Sequence, residues 1–116
     1  MPVRQGELYR VKTPHGSVRL RRAFLILSRQ AFIDAGYSTV VCVPVYSNSN
    51  GLQSEVAVGP AEGLTRSSVL RCDEITSIEK SRRTDYVGSP STDMGRLVRR
   101  ALAAALGILP EDIADL

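Results

Sequence analysis

A mostly β domain carrying one strong α-helix near its C-terminal end is what this 116-residue sequence predicts, and three observations carry the prediction. Two short apolar runs, Ala23 to Leu27 and Val40 to Val45, the second rich in β-branched residues, read as strands buried on both faces. Around them lie stretches of four or five residues bounded by Gly, Pro, Asn and Ser. Residues 94 to 106 alone repeat their apolar positions at helical spacing. Five or more strands and one amphipathic helix make a small curled sheet or barrel with the helix laid over it.

Taken in order, Glu7-Leu8-Tyr9-Arg10-Val11 alternates polar and apolar residues, the mark of a half-buried strand, after a turn at Gly6. Lys12 to Arg22, with Pro14 and Gly16, reads as a long loop, which in so small a domain is a place for function. Between the two apolar strands Ser28 caps a short helical piece, with Ala31, Phe32 and Ala35 on its inner side and Gly36 as its stop. Tyr46 to Gly51 is a polar loop expected to be mobile. Glu55-Val56-Ala57-Val58, Ser68 to Cys72 and Thr84 to Val87 supply further strands. In the helix, Met94, Leu97, Val98, Ala101, Leu102, Ala105 and Leu106 form the apolar stripe, opposite Arg96, Arg99 and Arg100. Ser91 caps it, Asp93 suits its first turn, and Gly107 ends it.

Composition narrows the function classes. The length suits a single domain over residues 1–116, and 43% hydrophobic with 23% charged residues is ordinary globular composition. No apolar run reaches the length of a membrane span, and the first residues lack the apolar segment of a signal peptide, so a cytoplasmic protein is expected. Cys42 and Cys72 sit inside apolar stretches and read as buried small hydrophobes. One histidine and no clustered Cys/His spacing give no reason to expect a metal or cofactor. Net charge is +3, and the charge is uneven: between residues 10 and 30 six cations, Arg10, Lys12, Arg19, Arg21, Arg22 and Arg29, occur without one acid. Such a segment projects positive potential and suits a polyanion.

Five segments, in order, resemble the motifs of the MazF/PemK/Kid toxins: Gln5-Gly6-Glu7-Leu8-Tyr9, Arg22-Ala23-Phe24-Leu25-Ile26-Leu27-Ser28, Val43-Pro44-Val45-Tyr46-Ser47-Asn48, Leu70-Arg71-Cys72-Asp73-Glu74-Ile75 and Ile78-Glu79-Lys80-Ser81-Arg82. The resemblance runs from Arg4 to Gly107. It implies an SH3-like barrel of the CcdB/MazF type with a C-terminal helix, a homodimer sharing an RNA groove, a metal-independent, sequence-specific endoribonuclease acting on single-stranded mRNA, and neutralisation by a cognate antitoxin. Three positions depart from the family pattern. Ala23 replaces the proline after the arginine, Tyr46 stands at the threonine, and Gly16-Ser17-Val18-Arg19 lacks the loop glutamate.

RNA cleavage by the ribose hydroxyl needs a base for the 2′-OH proton, cations for the charge that builds on phosphorus, and an acid for the departing oxygen. Arginine suits the cationic role because its planar fork contacts two phosphate oxygens at once. The resemblance points to Arg22 for it, and to Arg71 and Asp73 as the family's R-C-D pair. Two apart on a strand, these two would leave the same face and could pair with each other. Ser47 offers a hydroxyl beside the threonine position, and His15, the one side chain titrating near neutrality, is a candidate acid or base. Arg19, Arg21, Tyr46, Asn48 and Lys80 complete the set as RNA contacts, with Tyr46 able to stack a base. Two other readings remain open: a catalytically weakened module binding RNA or antitoxin, and a CcdB-like gyrase poison.

Overall fold

The computed structural model describes residues 2–12 and 21–114. Among the described residues seven strands form an antiparallel sheet: β1 (Leu8–Val11), β2 (Ala23–Ile26), β3 (Thr39–Tyr46), β4 (Glu55–Val58), β5 (Ser68–Arg71), β6 (Thr76–Glu79) and β7 (Arg83–Gly88). The helices are α1 (Gln30–Asp34), α2 (Thr92–Leu106) and α3 (Pro110–Ala114). No helix among the described residues is long and apolar enough to cross a membrane. The expected mostly β architecture with a C-terminal helix is present.

β3 organises the sheet. One of its edges pairs with β2 through Cys42, Val43 and Pro44. The other is shared, residues 39–42 pairing with β6 and Val45 and Tyr46 with β5. Pro44, which has no N–H to give a ladder, falls where that second edge changes neighbour. Strand order then runs β4-β5-β3-β2-β1-β7.

Alternate residues of β1, β2 and β3 enter two separate cores. Leu8, Leu25, Val43 and Val45 join Val56, Leu70, Cys72 and the helix residues Val98 and Ala101 on one face. Tyr9, Val11, Ile26, Val40 and Cys42 join Val3, Ile33 and Ile78 on the other. This double burial is what the continuous apolar runs signalled. Both cysteines are free and fully buried; burial pushes the Cys42 thiol up to about 12, and burial followed by the Asp73 charge pushes Cys72 up to about 11. They behave as apolar packing groups.

α2 forms where its caps place it: the Ser91 hydroxyl accepts the Met94 amide, and Gly107 turns the chain left-handed at φ +67°. Met94, Val98, Ala101, Leu102 and Ala105 lie on the first core, but Leu97 and Leu106 stay 48% and 57% exposed, so the buried stripe is narrower than the sequence suggested. Two further expectations are corrected. Ser28 does not cap α1; its hydroxyl accepts the Val41 amide, and the residue α1 buries is Ile33, with Ala31 and Ala35 exposed. β6 was not foreseen because only Ile78 of its four residues is buried, which leaves no alternation to detect. The long loop of the sequence reading, with His15 and Arg19, lies mostly outside the described residues.

The ends of the sheet are brought back together by backbone packing. A 3-10 turn at Pro60–Glu62 follows β4, one edge strand, and rests on the end of β7, the other. Gly63 sits there at φ +97°, and a Cβ on it would run into the Val87 carbonyl; a Cβ on Gly88 would run into the Glu62 carbonyl. Only a pair of glycines fits this crossing. Gly63→Ala should therefore cost about 1–3 kcal/mol, the range for forced overpacking. The check is a lowered urea midpoint at unchanged slope, and an unchanged midpoint would show that the crossing yields freely.

A candidate active-site cleft beside Tyr46

Sheet register places the principal side chains. With Phe24 opposite Pro44, continuing the antiparallel pairing by two residues sets Arg22 beside Tyr46. On the other side of β3, Tyr46 pairs with Val69, so Arg71 lies one step diagonal to it. Arg71 in turn stands directly opposite Glu55 on β4.

The result is a stack. The Arg22 guanidinium carbon lies 3.9 Å from the Tyr46 ring centroid and that of Arg71 lies 4.0 Å from it. Two planar cations at those distances cannot share one face of a ring, so Tyr46 is held between them. Its hydroxyl donates to Glu74 Oε1 at 2.8 Å. That hydrogen bond, then burial and the Glu74 charge, raises the phenol above its ordinary pKa against the lowering pull of the two arginines. The expected base-stacking surface of Tyr46 is thus already taken by arginine on both sides.

The two arginines differ in how far they are committed. Arg71 donates from Nη2 to the Asn48 carbonyl at 2.9 Å and from Nη1 to Glu74 Oε2 at 3.4 Å, with Nε 3.8 Å from Glu55 Oε2. Arg22 gives one donor, Nη1, to the Val45 carbonyl at 2.7 Å. The rest of its fork borders a cleft of about 230 Å³ lined also by Arg10, Arg21, Arg66, Ser47, Thr65 and Ser68. No carboxylate lines it, and among the described residues none of its four arginines is ion-paired. Such a cleft accepts an anion that several arginines contact at once.

The structure thus brings together Arg21, Arg22, Tyr46 and Ser47, with Arg71 and Asn48 behind Tyr46. It separates two others. The expected Arg71–Asp73 pair does not form, because β5 ends at Arg71 and Cys72–Glu74 turns as a 3-10 helix. Asp73 Oδ2 accepts the Ser54 hydroxyl instead, and Arg71 turns to Glu55 and Glu74. Lys80 follows β6 at the far end of β3, roughly 24 Å along the strand from Tyr46, with its ammonium on the Ile33 carbonyl. Sequence reasoning missed Glu74, Arg66 and Thr65, which no spacing in the chain ties to Arg22.

The polar loop after Tyr46 is fastened rather than left to solvent. Glu55, its side chain 4% exposed, accepts the Ser49 hydroxyl at 2.9 Å and the amides of Asn50 and Leu52 at 3.0 and 3.3 Å. Burial pushes this carboxyl up, but the Asn50 amide, the Ser49 hydroxyl and the Leu52 and Gly51 amides outweigh it and leave it below the usual glutamate range.

Comparison with known proteins gives a consistent picture. The family model of the PemK-like, MazF-like toxin of type II toxin–antitoxin systems matches residues 4–106. Among solved structures, an endoribonuclease from a mycobacterial species is 28% identical, with 95% of each chain covered and a TM-score of 0.77. An endoribonuclease in complex with its cognate antitoxin, also mycobacterial, is 27% identical over 92% of this chain and 97% of that one, at 0.79. The MazE–MazF structure from Deinococcus radiodurans is 25% identical over 94% and 99%, at 0.75. Comparison with curated proteins by sequence finds no match.

Because the Glu55 carboxyl is held below its ordinary pKa, its hold on the loop is complete above the unfolded glutamate value, about 4.3, and is lost as pH falls through the lower folded value. NMR of the Asn50 and Leu52 amides should show their native shifts at pH 6 and a collapse toward loop values in strong acid. Glu55→Ala should give the collapsed shifts already at pH 6. Native shifts in that variant would mean the loop is held by something else.

Proposed function

The chain belongs to the PemK-like, MazF-like toxin family of type II toxin–antitoxin systems, and from that premise we propose that it is a cytoplasmic endoribonuclease that cuts single-stranded mRNA at defined short sequences, without a metal, in the cleft headed by Arg22. One observation carries the reading: Arg22 is fixed by a carbonyl on one side and an aromatic face on another, with its remaining donors on a cleft whose arginines have no ion pair among the described residues. A cation so held needs little rearrangement to meet the charge that develops on phosphorus, and that is where electrostatic catalysis is strongest.

In the proposed reaction the ribose 2′-oxygen attacks the adjacent phosphorus, the bond to the 5′-oxygen breaks, and the products are a 2′,3′-cyclic phosphate and a 5′-hydroxyl. Arg22 stabilises the phosphorane, while Arg10, Arg21 and Arg66 hold neighbouring phosphates. Ser47 lies in the cleft within the same group and donates to a phosphate oxygen or the ribose. His15 and Arg19, which lie outside the described residues, are assigned roles from the sequence, His15 as the proton-transferring group and Arg19 as an RNA contact. Arg71 and Asp73 act as supports, Arg71 behind Tyr46 and Asp73 on Ser54. Two copies of the chain share the groove as a homodimer. Structures of the mycobacterial endoribonuclease with its cognate antitoxin and of Deinococcus MazE–MazF support a cognate antitoxin here, which in this reading competes for the cleft with an acidic, partly disordered tail.

A second reading is favoured by one feature. Tyr46 replaces a threonine of the family pattern and its hydroxyl is tied to Glu74, so a module that binds RNA or antitoxin with weakened cleavage fits the same cleft. The two separate on cleavage of a defined RNA by purified protein.

Arg22→Ala should leave folding nearly intact and lower the cleavage rate by about two to three orders of magnitude, the scale for one transition-state donor. Arg22→Lys should recover only part of it, since a point charge cannot reproduce the fork. Cleavage should proceed in EDTA and leave a cyclic phosphate detectable by mass spectrometry. Parental cutting by folded Arg22→Ala, or loss of cutting in EDTA, contradicts the mechanism. Sedimentation at micromolar concentration should give twice the 12.6 kDa of one chain; a monomer would remove the shared groove.

A further inference from the structure

We propose that Glu74 is the positioning residue of the cleft, holding Tyr46 and Arg71 so that the Tyr46 ring presents Arg22 to the substrate. The inference rests on the endoribonuclease reading for its catalytic consequence, and on the stack alone for its structural one. The observations form a chain. Glu74 Oε1 accepts the Tyr46 hydroxyl at 2.8 Å and Oε2 accepts from Arg71 Nη1 at 3.4 Å, so one carboxylate bridges the ring and the cation behind it. The other face of that ring carries Arg22. Apart from the ring, the one hydrogen bond that holds Arg22 among the described residues is to the Val45 carbonyl, a contact about which a guanidinium can pivot.

Two cations on one aromatic ring repel each other, and a carboxylate at the ring's edge offsets that repulsion without occupying the cleft. Glu74 stands at that edge, and it does not line the cleft. Its side chain is about half exposed, and it contacts Tyr46 and Arg71, whose guanidinium keeps Glu55 and the Asn48 carbonyl when Glu74 is removed. Asp73, one residue earlier, cannot substitute, because its carboxylate is turned to Ser54. An acid in this place is matched to the tyrosine: a threonine at position 46 would be too short to reach both the carboxylate and the arginine face.

Three variants and two readouts test this. Glu74→Ala removes both contacts, Glu74→Gln keeps an oxygen for the phenol but loses the charge, and Tyr46→Phe keeps the ring but loses the hydroxyl. Glu74→Ala should lower kcat about tenfold, the scale on which supports of a site residue act, with KM nearly unchanged because the cleft arginines still gather phosphate. Glu74→Gln should recover part of the rate. Combining Glu74→Ala with Tyr46→Phe should cost no more than Glu74→Ala alone, since both break one linkage. The second readout needs no activity: NMR of the Arg22 Nε–H should show an ordered signal in the parent and an averaged one in Glu74→Ala, and the Tyr46 phenol should titrate at lower pH. Parental kcat in Glu74→Ala, additive losses in the double variant, or an unchanged Arg22 signal each overturn the role of Glu74. If the parent cuts no RNA while the Arg22 signal still depends on Glu74, the endoribonuclease reading fails and the positioning role stands.

Discussion

A guanidinium nitrogen shut away from water has to be neutralised where it stands, and Arg71 Nε is such an atom: buried, without a hydrogen-bond acceptor among the described residues, and 3.8 Å from the Glu55 carboxylate. An uncompensated charge in that position would be strongly destabilising. The surroundings meet the demand from three sides, with Glu55 across the strand pair, the Asn48 carbonyl from the loop and Glu74 from the turn. Each of these partners carries a second obligation. Glu55 gathers the loop amides, Asn48 belongs to that loop, and Glu74 holds Tyr46. One arginine at a strand end thus ties together the loop, the turn and the aromatic ring on which the cleft depends.

The division between Arg71 and Arg22 follows from this. Arginines of the same chemistry lie on two sides of one ring, yet one is flanked by two carboxylates and the other faces none among the described residues. A cation already paired has little left to offer a phosphate, whereas an unpaired cation held by a carbonyl and a ring retains its charge and most of its donors. The structural load falls on Arg71 and the chemical opportunity on Arg22. Tyr46 is the element that couples them, and so it is packed on both sides instead of offering a stacking platform.

The scaffold beneath is rigid for a reason that also began in the sequence. β1, β2 and β3 bury side chains on both faces, and a strand so placed has its register fixed twice over. Any slip would turn Val43 and Val45 out of one core and Val40 and Cys42 out of the other. The Val45 carbonyl that anchors Arg22 and the Tyr46 ring that supports it therefore stand at the end of a strand whose register is fixed from both faces. Residues that must hold a charge in place gain from that origin.

The sequence by itself determined the class of the fold and the membership of most elements. Apolar runs showed which strands are central, helical periodicity with Ser91 and Gly107 bounded α2, and ordered motifs gave the family and singled out Arg22. These are local signals, read within one strand or helix. Where a local signal was thin the reading failed: β6 buries one residue of four, and Ser28 looked like a cap because its amide partner, Val41, is thirteen residues away. The site was legible only by halves. Spacing put Arg71 and Asp73 on one strand face, but the chain leaves the strand at Cys72 and sends them to different partners, Asp73 to Ser54 and Arg71 to Glu55 and Glu74. Which cations are neutralised and which are free depends on pairings between residues 16 to 28 positions apart, Glu55 with Arg71 and Tyr46 with Glu74. Such pairings are set by how β3, β4 and β5 lie side by side, and only the tertiary structure decided them.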